Sequence, residues 1–317
     1  MSIGGWGRRL TLAALGSVLA VLGAGGAGAQ SPEDKYAYDI SWPQCPATLP
    51  AGEFAFAVIG LNNGYPFSTN DCFAFQYAWA KTAEANPDVY INFDFPSPGE
   101  VSALDGPYGL CAETDDWCRA YNHGYAIGRD SVARAMYFGI EPGRYWFDVE
   151  MINDWSDWKA ANGQVINGAV DYFLEHNKPF GIYGTRYQWG LITGHYIPPV
   201  TTPLWVAGAT SIEMARERCN DASFGFAGGV TWMVQYPQDG FDGNVLCEPG
   251  RADRESREPG SPAAAAAGAE SFKRRGASGQ ALTIEGPVER QRWMNTDVRL
   301  AQTAGWFTVR TEVAAGN

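Results

Sequence analysis

Histidine is scarce in this chain, and so is charge. Three histidines stand among 317 residues, and no CxxC pair occurs. A zinc site of the usual spacing therefore has no ligand set, and no metal is expected. Charged residues make up 18% of the chain, with 35 acidic against 23 basic side chains. The formal net charge is -12, and no basic stripe runs through the main body. A nucleic-acid partner is therefore not expected. No glycine fingerprint follows the first strand-like run, which argues against a dinucleotide fold, and no short repeat recurs. Apolar runs long enough for a confident bilayer span are also lacking. The apolar stretch Leu10–Leu22 follows Arg8 and Arg9 and precedes Ala27-Gly28-Ala29. That layout predicts a secretory signal over residues 1–29. The mature chain is expected to be secreted, extracellular or cell-wall associated, monomeric, and without stable membrane insertion.

Aromatic side chains are plentiful, at 14%. They can fill a large core or line a groove for ring-shaped ligands. Six cysteines outside the cytoplasm are expected to pair. Joining sequence neighbours gives Cys45–Cys72, Cys111–Cys118 and Cys219–Cys247.

Strand-like and helix-like stretches alternate from Tyr36 to Cys247. YAYDISW, FAFAVIGL, VYINFDF, RYWFDVE, FGIYG, LWVAGA, VTWMVQYP and GNVLC read as strands. Helical spacing marks Phe73–Ala80, Tyr121–Met136 and Val165–Phe173, although Gly128 weakens the second. Such alternation predicts a parallel sheet. About eight strands suit one closed, TIM-like (β/α) barrel of the α/β class, irregular in its last strands, over residues 30–248. Residues 249–279 are rich in Pro, Ala, Gly and charge and read as a disordered linker. Residues 280–317 form a short C-terminal appendage with one strand-like run, Trp306–Val313. It is too short for a core of its own.

One stretch carries chemistry. In RYWFDVE, Tyr145, Phe147 and Val149 share one strand face; Trp146, Asp148 and Glu150 share the other. Burying a carboxylate without a partner costs several kcal/mol. The acids come last in the strand, at the rim where barrel enzymes build their sites. Two carboxylates in unlike environments can divide into a proton donor and a permanent charge, as glycoside hydrolysis requires. Asp39, near the end of the first strand, reaches the same rim. Trp42, Trp146, Trp205, Trp232 and Tyr236 lie near strand ends as stacking surfaces for sugar rings. Tyr183 and Arg186 follow the fifth strand as further substrate contacts. His123, His176 and His195 fall in helices or loops, away from the acids.

YDISWPQ, WFDVE, FGIYGTRYQWG, LWVAG and WMVQYPQDGFDGNV, in this order, resemble glycoside hydrolase family 25, the Chalaropsis-type lysozymes. The similarity runs from Tyr36 to Cys247. The resemblance implies a barrel that cleaves β-1,4 bonds after N-acetylmuramic acid in peptidoglycan or a related N-acetylated glycan. It implies Glu150 as general acid/base, Asp148 as its charged assistant and Asp39 as the residue that tunes them. No cofactor is implied. Family members end on a GNVD-like element whose Asp lines the site; here Leu246 takes that place, with Asp242 and Asp239 nearby. Two other readings fit the same residues. One is a glycan-binding barrel without catalysis. The other is a phosphodiesterase holding Ca²⁺ or Mg²⁺ through Asp39, Asp148 and Glu150.

Overall fold

The computed structural model describes residues 37–257, followed by the backbone of four short strands, Arg274–Arg275, Ala281–Leu282, Ala301–Thr303 and Trp306–Thr308. The expected signal, residues 1–29, lies outside the described residues, as do most of 258–317.

Eight strands close into a barrel: β1 (Ala37–Ile40), β2 (Phe56–Gly60), β3 (Asp88–Asn92), β4 (Tyr145–Asp148), β5 (Phe180–Gly184), β6 (Pro203–Val206), β7 (Val230–Gln238) and β8 (Phe241–Leu246). Neighbours from β1 to β7 are parallel. β8 is the exception, antiparallel to both β7 and β1. A turn at Asp239-Gly240, both with positive φ, folds it back on β7. Asp-Gly is a favoured pair for such tight hairpins.

Six helices of seven residues or more accompany the strands among the described residues: α1 (Phe73–Ala80), α2 (Asp116–Tyr137), α3 (Lys159–Glu175), α4 (Arg186–Thr193), α5 (Ile212–Arg218) and α6 (Glu248–Arg257). Alternation along the strands divides the core in two. Tyr145, Phe147 and Val149 face outward into the layer between sheet and helices. Ala37, Phe56, Val58, Trp146, Trp205 and Met233 fill the barrel interior. Glycine in α2 has a packing reason. A Cβ on Gly124 would lie 1.8 Å from the Val165 carbonyl oxygen, and one on Gly168 would lie 2.0 Å from that of Tyr121. The backbones of α2 and α3 touch at these points.

The linker expected from residue 249 instead begins as a helix. α6 joins residues around the Trp146–Phe56 end of the barrel. The Arg254 guanidinium lies 3.7 Å from the Phe56 ring centroid and donates to Asp88 at 2.6 Å. Asp253 pairs with Arg144, which lies over the Trp232 and Trp146 rings. A Pro, Gly and charge count misses this, because Asp253 and Arg254 of the helix meet partners at the barrel. The three disulfides join the cysteines as expected, Cys45–Cys72, Cys111–Cys118 and Cys219–Cys247. Among the described residues no helix is long and apolar enough to cross a membrane.

Candidate active site

Asp39, Asp148 and Glu150 meet in one cavity of about 190 Å³, with Asp242 as a fourth acid. Strand register explains the meeting. Asn92 on β3 is level with Asp148 on β4, and Asp148 with Tyr183 on β5. Asp39 is level with Asp242. All lie at the C-terminal ends of the parallel strands, and β8 begins there because it runs the other way.

Amides hold the acids, and three of the four are themselves oriented by a donor to their carbonyl oxygen. The Trp205 indole N–H donates to Asn244 Oδ1 at 2.7 Å, so Asn244 Nδ2 faces Asp39 Oδ2, also at 2.7 Å. The Tyr183 hydroxyl donates to Gln235 Oε1 at 2.9 Å, so Gln235 Nε2 faces both Asp39 oxygens, at 3.0 and 3.2 Å. The Met151 N–H donates to Gln188 Oε1 at 2.9 Å, turning Gln188 Nε2 toward Glu150 Oε1 at 3.3 Å. Asn92 donates to Asp148 Oδ2 through a short bond. Asp148 Oδ1 is buried and has no partner among the described residues.

The electrostatics are those of crowded acids. Asp148 is 4% exposed. Burial pushes its carboxyl well above the usual carboxylate range, and the charges of Glu150 and Asp39 push the same way. Burial likewise raises Asp39, helped by Asp242 and opposed by its two amide donors. Glu150 is raised by burial and by Asp242, against the Gln188 hydrogen bond. Among the described residues none of these acids pairs with Lys, Arg or His. The charge expected on Asp148 is therefore opposed by its surroundings. A buried carboxyl with one neutral donor beside a second acid is harder to ionise.

Of the aromatic candidates, Tyr183 and Trp205 line the cavity, their rings 4.4 Å apart. Trp42 is 45% exposed, in the turn Trp42–Gln44 after β1, beside Pro43 and Gln44 of the cavity wall. Trp146 points inward as expected but lies deeper. Its N–H donates to Asp88, and Gly181 leaves room for its ring. It is therefore no wall for Glu150. Trp232 does not reach the cavity either, because it meets Arg144 and α6. Tyr236 faces the outer layer. Arg186 donates to the Ser223 and Gly225 carbonyls, outside this cavity. Leu246 packs against the interior cluster at the end of β8 opposite the acids, so an Asp there would miss them. Asp242 is the acid of β8 that lines the site; Asp239 sits in the turn and accepts from Gln238. His123 is buried between Asp94 and Glu100, apart from the cavity.

Gln235, Asn244, Asn92, Gln188, Ser41 and Tyr90 were not among the candidates. Period-two alternation would have found two of them: Gln235 shares a face with Met233, and Asn244 shares one with Asp242. Four of these residues, Gln235, Asn244, Asn92 and Gln188, hold carboxylates through neutral amides, which carry no charge pattern to notice. No group of three His, Cys, Asp or Glu among the described residues is arranged to hold a metal ion. The four acids approach one another without forming an oxygen cage.

Residues 121–225 match the family model of lysozyme-like protein 1. The expected lysozyme likeness is met over that segment, which includes Asp148 and Glu150 and stops short of Asp39 and Asp242. No curated protein matches the chain. Among solved structures, the chain is similar to GHIP, a glycosyl hydrolase 25 of Streptococcus pneumoniae. Identity is 15% with a TM-score of 0.43, over 68% of this chain and 88% of that one. It is similar to the modular autolysin LytC of the same species, at 13% identity and TM-score 0.42, over 67% of this chain and 46% of that one. A family GH25 lysozyme from Aspergillus fumigatus gives 13% and 0.40, over 69% and 97%.

Proposed function

We propose that this chain is a secreted glycoside hydrolase of lysozyme type, cleaving β-1,4 bonds of peptidoglycan or a related N-acetylated glycan. The convergence of Asp39, Asp148 and Glu150 in one cavity carries this reading.

The unpartnered Asp148 Oδ1 suits the N–H of a substrate acetamido group. Accepting that bond favours the ionised form of Asp148. The proton then belongs on Glu150, whose carboxyl is the more exposed of the two. Glu150 gives this proton to the glycosidic oxygen as the bond to the anomeric carbon breaks. The acetamido carbonyl oxygen bonds to that carbon, and Asp148 stabilises the cation formed. Water then opens the ring, losing its proton to Glu150, and the anomeric configuration is retained. Asp39, tied to Gln235 and Asn244, positions the wall.

Digestion of purified peptidoglycan followed by borohydride reduction tests the reading. Reduced N-acetylmuramic acid at the new chain ends is expected. The small cavity favours a second reading, a barrel that binds glycan without cutting it. Sedimentation with the wall and no new reducing ends would establish that one instead.

A further inference from the structure

A second, larger concavity opens beside the acids and has the opposite charge. Its volume is about 760 Å³, and its wall contains Lys159, Arg186 and Arg218 but no Asp or Glu. The two cavities share strand ends. Tyr183 and Trp205 line the first, while Thr185, just past the end of β5, and Val206, next to Trp205 on β6, line the second. Helix α4 links them as well: Gln188 holds Glu150, and Arg186 stands two residues earlier.

None of the three cations pairs with an acidic side chain among the described residues, in a chain whose net charge is -12. Arg218 is held in place. Its Nη1 donates to the Ala207 carbonyl at 3.2 Å, and its guanidinium lies 4.3 Å from the Phe224 ring centroid. Its buried Nε has no partner. Gly208, at φ +90, leaves the space beside Nη1 without a side chain. Lys159 opens α3, whose first turn carries no acid. A cation at a helix N-terminus faces the positive end of the dipole and costs stability. Local structure therefore does not account for it.

We propose that this groove is a subsite for anionic substituents, carboxylate or phosphate, carried by the glycan whose backbone enters the acid cavity. The proposal takes the glycan from the glycosidase reading, whereas the groove's affinity for anions stands apart from it. Substituted wall polymers are then preferred over neutral oligomers of the same sugars.

Calorimetric titration of the full mature chain, carrying Glu150→Gln to prevent turnover, tests this. Four probes are compared: a neutral chito-oligosaccharide, a muropeptide oligomer with free carboxylates, the same oligomer amidated, and a glycerol phosphate oligomer. The carboxylated muropeptide should bind about tenfold tighter than the amidated one, with the gap shrinking at high salt. Adding Lys159→Glu should remove the gap and leave the chito-oligosaccharide unchanged. That substitution places an acid at a helix start, so folding is favoured. Binding of the phosphate oligomer that depends on Lys159 supports the anion site and names phosphate as the source. Equal binding of free and amidated muropeptide, together with no Lys159-dependent phosphate binding, overturns the proposal. Failure of the chito-oligosaccharide alone counts against the glycosidase reading and leaves the groove standing.

Discussion

Asp39 on β1 stands directly across from Asp242 on β8, an acid facing an acid in antiparallel register. Two like charges in such a pair oppose each other's ionisation. Asp242 raises the carboxyls of both Asp39 and Glu150. Asp242→Asn should therefore lower both. A general acid must hold its proton to work, so the alkaline limb of the pH–rate profile should move to lower pH. An unmoved alkaline limb would show that Asp242 does not act on the acid.

Stability should fall as pH rises above the ordinary carboxylate range. Asp39 and Asp148 have raised folded-state values, so the folded chain binds more protons than the unfolded chain between the two values. Stability then declines with pH across that window. His123, raised by Asp94 and Glu100 against burial, acts in the same direction. Its contribution is full below the unfolded histidine value and lost as pH passes the folded one. Asp148→Asn should raise the melting temperature at pH 7 and have less effect at pH 4. Calorimetry at the two values checks the difference.

Much of this arrangement is legible in the residues. The alternation of Tyr145 to Glu150 places both acids inward at the strand end, and the structure agrees. The direction of β8 is legible only through Asp239-Gly240, a hairpin signal that outweighs a likeness between GNVLC and GNVD. Trp232 misleads because an irregularity opposite Leu204 and Trp205 shifts the register of β7. Trp146 is correctly inward, but its depth depends on register with Tyr90 and Gly181, which no local pattern reveals. The role of α6 depends on partners far away in the chain, Asp88 and Arg144.

Arg254→Ala should destabilise the barrel by about 3 kcal/mol or more, because it strips a buried carboxylate of its cation. Asp88 is 2% exposed and would keep only the Trp146 N–H. Urea unfolding checks the loss. Arg254→Ala with Asp88→Asn should recover part of it.

Asn92→Leu removes the donor to Asp148 Oδ2 and should cost about 1–3 kcal/mol in stability. Asp148 then ionises less readily, so turnover should fall while the affinity for a neutral oligomer stays near the wild-type value. Steady-state kinetics separates the two.

The reducing-end release rate on purified peptidoglycan, measured for the wild type, Glu150→Gln and Asp148→Asn with folding verified by circular dichroism, bears most directly on the shared-proton pair. Both variants should lose at least about a hundredfold in rate. A Glu150→Gln protein as fast as the wild type would contradict the account.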